Sequence, residues 1–177
     1  MTHLNEKTIE SETIYKGRII DVHIEKVRLP NGKESTREVV KHPGAVAVIA
    51  KTEDDKYLFV RQFRKPLERT IVEIPAGKLE ANEDPMETAK RELYEETGYK
   101  CQRLKHITSF YTSPGFADEI IHLYEAFNLT EGQQKTEEDE FVDVLKLTLD
   151  EAQKLVEQQE IIDAKTAYAV LYLQAKK

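Results

Sequence analysis

The sequence predicts an α+β chain, or a mixed-sheet α/β sandwich with helices on its faces. Three observations lead there. Strand-like and helix-like segments are mixed without the regular alternation of βαβ units. An early run of extended segments contains the turn signal Asn31-Gly32 and then returns on itself. One capped amphipathic stretch lies mid-chain, and two more close the chain. The 177 residues fit one domain with a small extra arm.

Residues 10–43 read as an antiparallel arm. IYKGRIIDVHIEKVRLPNGK is extended, and TREVVKH is the return strand. Pro43-Gly44 punctuates the chain, dividing an N-terminal β arm (1–43) from a main domain (44–177). AVAVIAK is an apolar run of strand length, and Asp54-Asp55-Lys56 is a turn. YLFVRQFR and TIVEIPAG follow as strands. Asp84 then serves as N-cap, Pro85 takes the first helical position and Gly98 suits the stop. The helix runs from Pro85 to Thr97, with Ala89, Leu93 and Met86 as its apolar stripe. HITSFYTS and EIIHLYEAFNL are strands around the loop SPGFADE, and the acidic loop KTEEDE precedes a strand, FVDVLKL. LDEAQKLVEQQ and AKTAYAVLYLQAKK are the closing helices.

Composition excludes several functions. The formal charge is −7, which argues against nucleic acid and fits an anionic membrane poorly. An acidic protein still binds phosphates when metal ions neutralise both sides. The single cysteine, Cys101, permits no internal disulfide and no Cys-rich zinc site, and nothing beside it activates a thiol. The N-terminus lacks an apolar signal core, and no run reaches the ~18 apolar residues of a membrane span. A cytoplasmic protein is expected. The five histidines are scattered and none pairs at i, i+4, so structural roles are expected for them.

The helix poses the chemical question. Glu92, Glu95 and Glu96 fall at spacings of three and four, which places them on one face. The bland reading is a solvated face with Lys90 and Arg91 as compensation. Yet like charges at four-residue spacing cost a few tenths of a kcal/mol each. The helix also follows a glycine-containing loop, EIPAGKLE, straight off a strand. Such a strand–loop–helix unit brings backbone carbonyls and carboxylates to one point. Hard cations such as Mg²⁺ take that oxygen set and share substrate phosphates.

Gly77, Glu83, Arg91, Glu92, Leu93, Glu95, Glu96, Gly98 and Tyr99 together resemble the Nudix box, G-x5-E-x7-R-E-U-x-E-E-x-G-U, where U is a bulky apolar residue. Nine fixed positions over 23 residues make this a specific signal. The resemblance implies a Nudix fold and metal-dependent hydrolysis of a nucleoside diphosphate linked to another group. Under it, Glu92 and Glu96 are metal ligands, Glu95 is a weaker one and the Ala76 carbonyl completes the site. Arg91 orients the glutamates and Glu83 braces the loop. The implied cofactor is Mg²⁺ or Mn²⁺, two to three ions per site.

VRQFRKPLERTIVEIPAGKLE and SPGFADE extend the likeness towards ADP-ribose pyrophosphatases, with Pro114 fifteen residues after Tyr99. This implies hydrolysis of ADP-ribose to AMP and ribose 5-phosphate. Arg64 then contacts the diphosphate or the adenosine side, and Lys78 approaches phosphate from beside the metal loop. Arg37 and Glu38 line the adenine pocket, and Ser113, Pro114, Gly115 and Glu119 contact the terminal ribose. The loop holding Glu137, Glu138, Asp139 and Glu140 supplies the base; aligning on the following strand gives Glu138 that role and makes Glu140 a further metal ligand. The subgroup binds substrate across a homodimer with exchanged arms, which brings Arg18 to the partner's site. Two alternatives stand beside this: another nucleoside diphosphate sugar or an oxidised nucleotide as substrate, and a non-catalytic sensor of ADP-ribose.

Overall fold

The computed structural model describes residues 2–135 and 141–176. The chain divides into two compact units, Met1–Gly44 with Phe110–Ile120 and Ala45–Ser109 with Ile121–Lys177.

The first unit is an antiparallel sheet of order β1-β2-β3, formed by β1 (Lys7–Lys16), β2 (Asp21–Arg28) and β3 (Glu34–Lys41). Asn31 and Gly32 make the β2–β3 turn: Gly32 has φ 82°, and Asn31 Oδ1 accepts from the Lys33 N–H at 3.0 Å. β1 starts three residues before the expected arm, because Lys7 and Thr8 already pair with Arg28 and Val27. Every β1 residue is exposed, including Ile9, Ile14 and Tyr15. The SPGFADE segment is fastened to the end of β3, where Val40 donates its N–H to Phe116 O at 2.7 Å and accepts from Asp118 N–H at 3.1 Å.

The second unit carries a four-stranded mixed sheet of order β7-β4-β9-β8 and a three-stranded antiparallel sheet of order β10-β5-β6. β4 (Ala45–Ala50) runs parallel to β9 (Ile120–Glu131) and antiparallel to β7 (Ala76–Lys78). Its last five residues are buried, as its unbroken apolar run requires of a strand covered on both faces. β5 (Tyr57–Arg64) pairs with both β6 (Arg69–Glu73) and β10 (Val142–Leu147).

TIVEIPAG is therefore two strands and not one. Pro75 has no N–H to give a ladder. Pairing with β5 ends at Glu73, and Ala76 then pairs with Ala47 in the other sheet. β8 (Tyr99–Tyr111) also differs, since it begins seven residues before His106. It is the edge of its sheet, where charged residues such as Lys100, Arg103 and Lys105 are tolerated and useful.

Helix α1 spans Pro85–Thr97, as its signals predict. The Met86 N–H donates to Asp84 Oδ1 at 2.8 Å, and Gly98 closes the helix at φ 77°. Ala89 and Leu93 are fully buried against Val46, Val48, Leu58 and Tyr124. Met86 is exposed, so it does not belong to the stripe. Leu93→Ala is expected to cost about 2–5 kcal/mol, because it leaves a cavity under α1; urea unfolding would measure it. α2 (Leu149–Glu157) starts with a Thr148–Glu151 capping box and packs on α3 (Ala164–Gln174). No helix among the described residues is long and apolar enough to cross a membrane.

Candidate active site

The acidic face of α1 looks onto β7. Ala76, Gly77, Lys78, Glu80, Arg64, Gln62, Arg91, Glu92, Glu95 and Glu96 surround one cavity of ≈ 300 Å³. Pro75 makes this possible, since it sends the chain from β6 to the start of β7 beside α1. Glu96 is 1% exposed, and its Oε2 accepts the Ala76 N–H at 2.9 Å. The Glu92 carboxylate lies against the Gly77 backbone. A Cβ at Gly77 would sit 1.9 Å from Glu92 Cδ and 2.2 Å from each of its oxygens, so only glycine leaves this space.

Arg91 answers the repulsion between the carboxylates. Its Nη1 donates to Glu92 at 2.8 Å and to Glu95 at 2.9 Å, while Nε and Nη2 clasp Glu83 at 3.1 and 2.9 Å. The planar fork makes this possible; a lysine could not span three acids in fixed geometry. The hydrogen bonds to Glu83 first, then the charge of Glu92 and the hydrogen bonds to Glu95 and Glu92, outweigh burial and raise the Arg91 pKa further above its ordinary value. Lys90 instead pairs with Glu87 at 2.6 Å, so it does not serve the acidic face.

Among the described residues no group of three or more His, Cys, Asp or Glu side chains stands ready-made around one point for a metal. The donor set nonetheless fits a hard divalent cation: three carboxylates on one face, one buried and one cradled in the space a Cβ would fill. The donors reach Arg91 and the Ala76 N–H instead of converging.

Arg64 lies on the wall of the same cavity. Its Nε and Nη2 grip the buried Glu73 at 2.5 and 2.7 Å, and Lys165 Nζ bonds the same carboxylate. Burial alone would push Glu73 up, but hydrogen bonds from Arg64 and the charges of Lys165 and Arg64 outweigh it and hold the carboxyl below its ordinary value. A carboxyl so depressed stabilises the fold above the ordinary glutamate range and ceases to do so as pH falls through its lowered pKa. The urea midpoint is therefore expected to drop on acidification from about pH 7 to about pH 3. Glu73→Gln should show a smaller drop than the parent.

Sequence reading missed Glu73 and Lys165. A glutamate inside the apolar run TIVEIPAG is a signal of a buried charge. Its partner Lys165 lies 92 positions on, which no local pattern reveals.

The other expected residues that the structure describes fall in the first unit. Arg37 is on β3, where Nε and Nη2 pair with Glu6 at 2.8 and 2.6 Å; Glu38 is exposed opposite Ile24. Ser113 O closes a turn by accepting from the Phe116 and Ala117 N–H groups, and Pro114 and Gly115 are exposed at its tip. Glu119 accepts from Thr112 Oγ1 at 2.5 Å and has His42 Nε2 at 3.8 Å. Arg18 is exposed in the β1–β2 turn. Glu137, Glu138, Asp139 and Glu140 lie outside the described residues.

Comparison with known proteins agrees with this geometry. Residues 41–168 match the NUDIX domain, and residues 6–40 match the nucleoside diphosphate sugar hydrolase N-terminal domain. The chain is 60% identical to the ADP-ribose pyrophosphatase of Bacillus subtilis, covering 100% of this chain and 97% of that one. It is 56% identical to the methanol dehydrogenase activator of Bacillus methanolicus, covering 97% and 94%. A solved structure, that of an ADP compounds hydrolase, superposes with a TM-score of 0.84 over 97% of this chain and 93% of that one, at 19% identity; it shares the fold. The matched domain, the identity over the whole chain and the carboxylate helix against Gly77 place the chain in the Nudix hydrolase family.

Proposed function

We propose that the chain hydrolyses the diphosphate of ADP-ribose, giving AMP and ribose 5-phosphate. One observation carries the reading: an acidic helix face and two cations, Arg64 and Lys78, share one cavity. Carboxylates alone would repel a diphosphate, and cations alone would bind it without a means of activating water. The likeness over the whole chain to a protein named for ADP-ribose supports the choice of substrate.

Glu92, Glu95, Glu96 and the Ala76 carbonyl would hold Mg²⁺ or Mn²⁺, with Glu140 as a further ligand. When bound, such ions neutralise the diphosphate and lower the pKa of water. Arg91 holds Glu92 and Glu95 in place. Arg64 and Lys78 bind phosphate oxygens, and Glu138 takes the proton from the attacking water. Arg37 and Glu38 bind adenine, while Ser113, Pro114, Gly115 and Glu119 bind the terminal ribose. The exposed Ile9, Ile14 and Tyr15 of β1 support a homodimer in which a second copy covers the arm and Arg18 reaches the partner's site.

The test is a panel of ADP-ribose, ADP-glucose, GDP-mannose, NADH, diadenosine polyphosphates and 8-oxo-dGTP, each incubated with Mg²⁺ and resolved by chromatography. AMP appearing fastest from ADP-ribose supports the reading. A clear preference for another compound discards the substrate and keeps the chemistry. The relative named as a dehydrogenase activator favours a second reading, in which the chain acts on a partner enzyme. An alcohol dehydrogenase assay with Glu96→Gln separates the two, because stimulation without hydrolysis belongs to the second reading alone.

A further inference from the structure

Glu73 ends β6 and is 1% exposed. Two cations meet its carboxylate. Arg64, at the end of β5, holds it through Nε and Nη2, and Lys165, in the first turn of α3, bonds it through Nζ. Lys165 is itself held by Asp163, the N-cap of α3, at 2.8 Å. Two acids and two bases therefore form a chain from the helix cap to the cavity wall. Its formal charge is zero, and only its Arg64 end lines the cavity.

The geometry of Arg64 gives this chain a purpose. Glu73 occupies the Nε–Nη2 edge of the guanidinium, leaving the two N–H groups of Nη1 for another acceptor. Glu96 lies close enough for its charge to act on Arg64. Without Glu73, the guanidinium would be drawn to the carboxylates of α1, where it would meet Glu96, repel a bound cation and be spent on a carboxylate in place of a phosphate. Lys165 shares the Glu73 charge, so Glu73 orients Arg64 without cancelling it.

We propose that Glu73 and Lys165 are positioning residues for Arg64: they turn its free edge to the substrate diphosphate and keep its charge off the carboxylate cluster. The inference rests on the diphosphate-binding reading of the cavity.

The test is ADP-ribose affinity by calorimetry in EDTA, where nothing is turned over, with thermal melting as a check on folding. Arg64→Ala and Glu73→Gln are each expected to weaken binding about tenfold, the loss of one charge-assisted contact. Joined in one chain, they are expected to bind no more weakly than Arg64→Ala alone, because Glu73 acts through Arg64. Removing a buried partner can unfold a protein, so Glu73→Gln with Lys165→Met is the second variant; it removes one charge of each sign together. Wild-type affinity in that folded double variant, beside a loss in Arg64→Ala, overturns the positioning role and spares the diphosphate reading. Additive losses from Arg64→Ala and Glu73→Gln overturn it too. Unchanged affinity in Arg64→Ala overturns both.

Discussion

Glu96→Gln is expected to cut turnover of ADP-ribose by at least about 10³-fold while leaving the protein folded. Gln keeps the shape of Glu and still presents an oxygen to the Ala76 N–H, now bonded at 2.9 Å. What it removes is one negative charge at a 1% exposed position. A divalent ion at such a site supplies several kcal/mol of transition-state stabilisation, and each ~1.4 kcal/mol is a factor of ten in rate. Losing a charged ligand therefore costs orders of magnitude in kcat. The fold does not need the charge, because a neutral amide is cheaper to bury than a carboxylate. Thermal melting beside initial rates reads both halves. Unchanged kcat would remove Glu96 from the metal site.

Gly77→Ala is expected to reduce kcat about 10²-fold, with little change in melting temperature. The added methyl would lie 1.9 Å from Glu92 Cδ, far inside the 3.5–4.0 Å at which carbon atoms rest. Leu93 and Ala89 are fully buried and hold α1 in place, so the Glu92 side chain is what moves. Displacing a reacting group by about 1 Å costs roughly 10² in rate. The backbone accepts alanine, since Gly77 is not among the residues with positive φ. Steady-state kinetics over a Mg²⁺ titration would show the loss together with a raised metal requirement. Wild-type kinetics would mean that Glu92 has freedom to step aside without consequence.

How much of this was legible from sequence depended on the range of the forces. α1 was readable to the residue because Asp84, Pro85 and Gly98 act locally, through one side-chain cap, one missing N–H and one left-handed residue. The box spacing put Glu92, Glu95 and Glu96 on one face, and they line one cavity with Gly77. Pro75 was the cue that splits TIVEIPAG between two sheets, but an apolar run outweighs one proline on inspection. The first seven residues of β8 carry no visible strand pattern, because an edge strand tolerates the charges of YKCQRLKH. The Glu73–Lys165 contact was out of reach, since it depends on how β6 and α3 pack. So was the pairing of Arg37 with Glu6, 31 residues away in sequence.

The most direct measurement of the central claim is AMP release from ADP-ribose by the 177-residue chain as Mg²⁺ is titrated after EDTA treatment. The expected result is equal amounts of AMP and ribose 5-phosphate, no turnover in EDTA, and full recovery as Mg²⁺ returns. Tight binding of ADP-ribose with no AMP at any Mg²⁺ concentration would contradict it and make the chain a sensor. AMP release undiminished in EDTA would contradict it from the other side, by separating hydrolysis from the carboxylate helix.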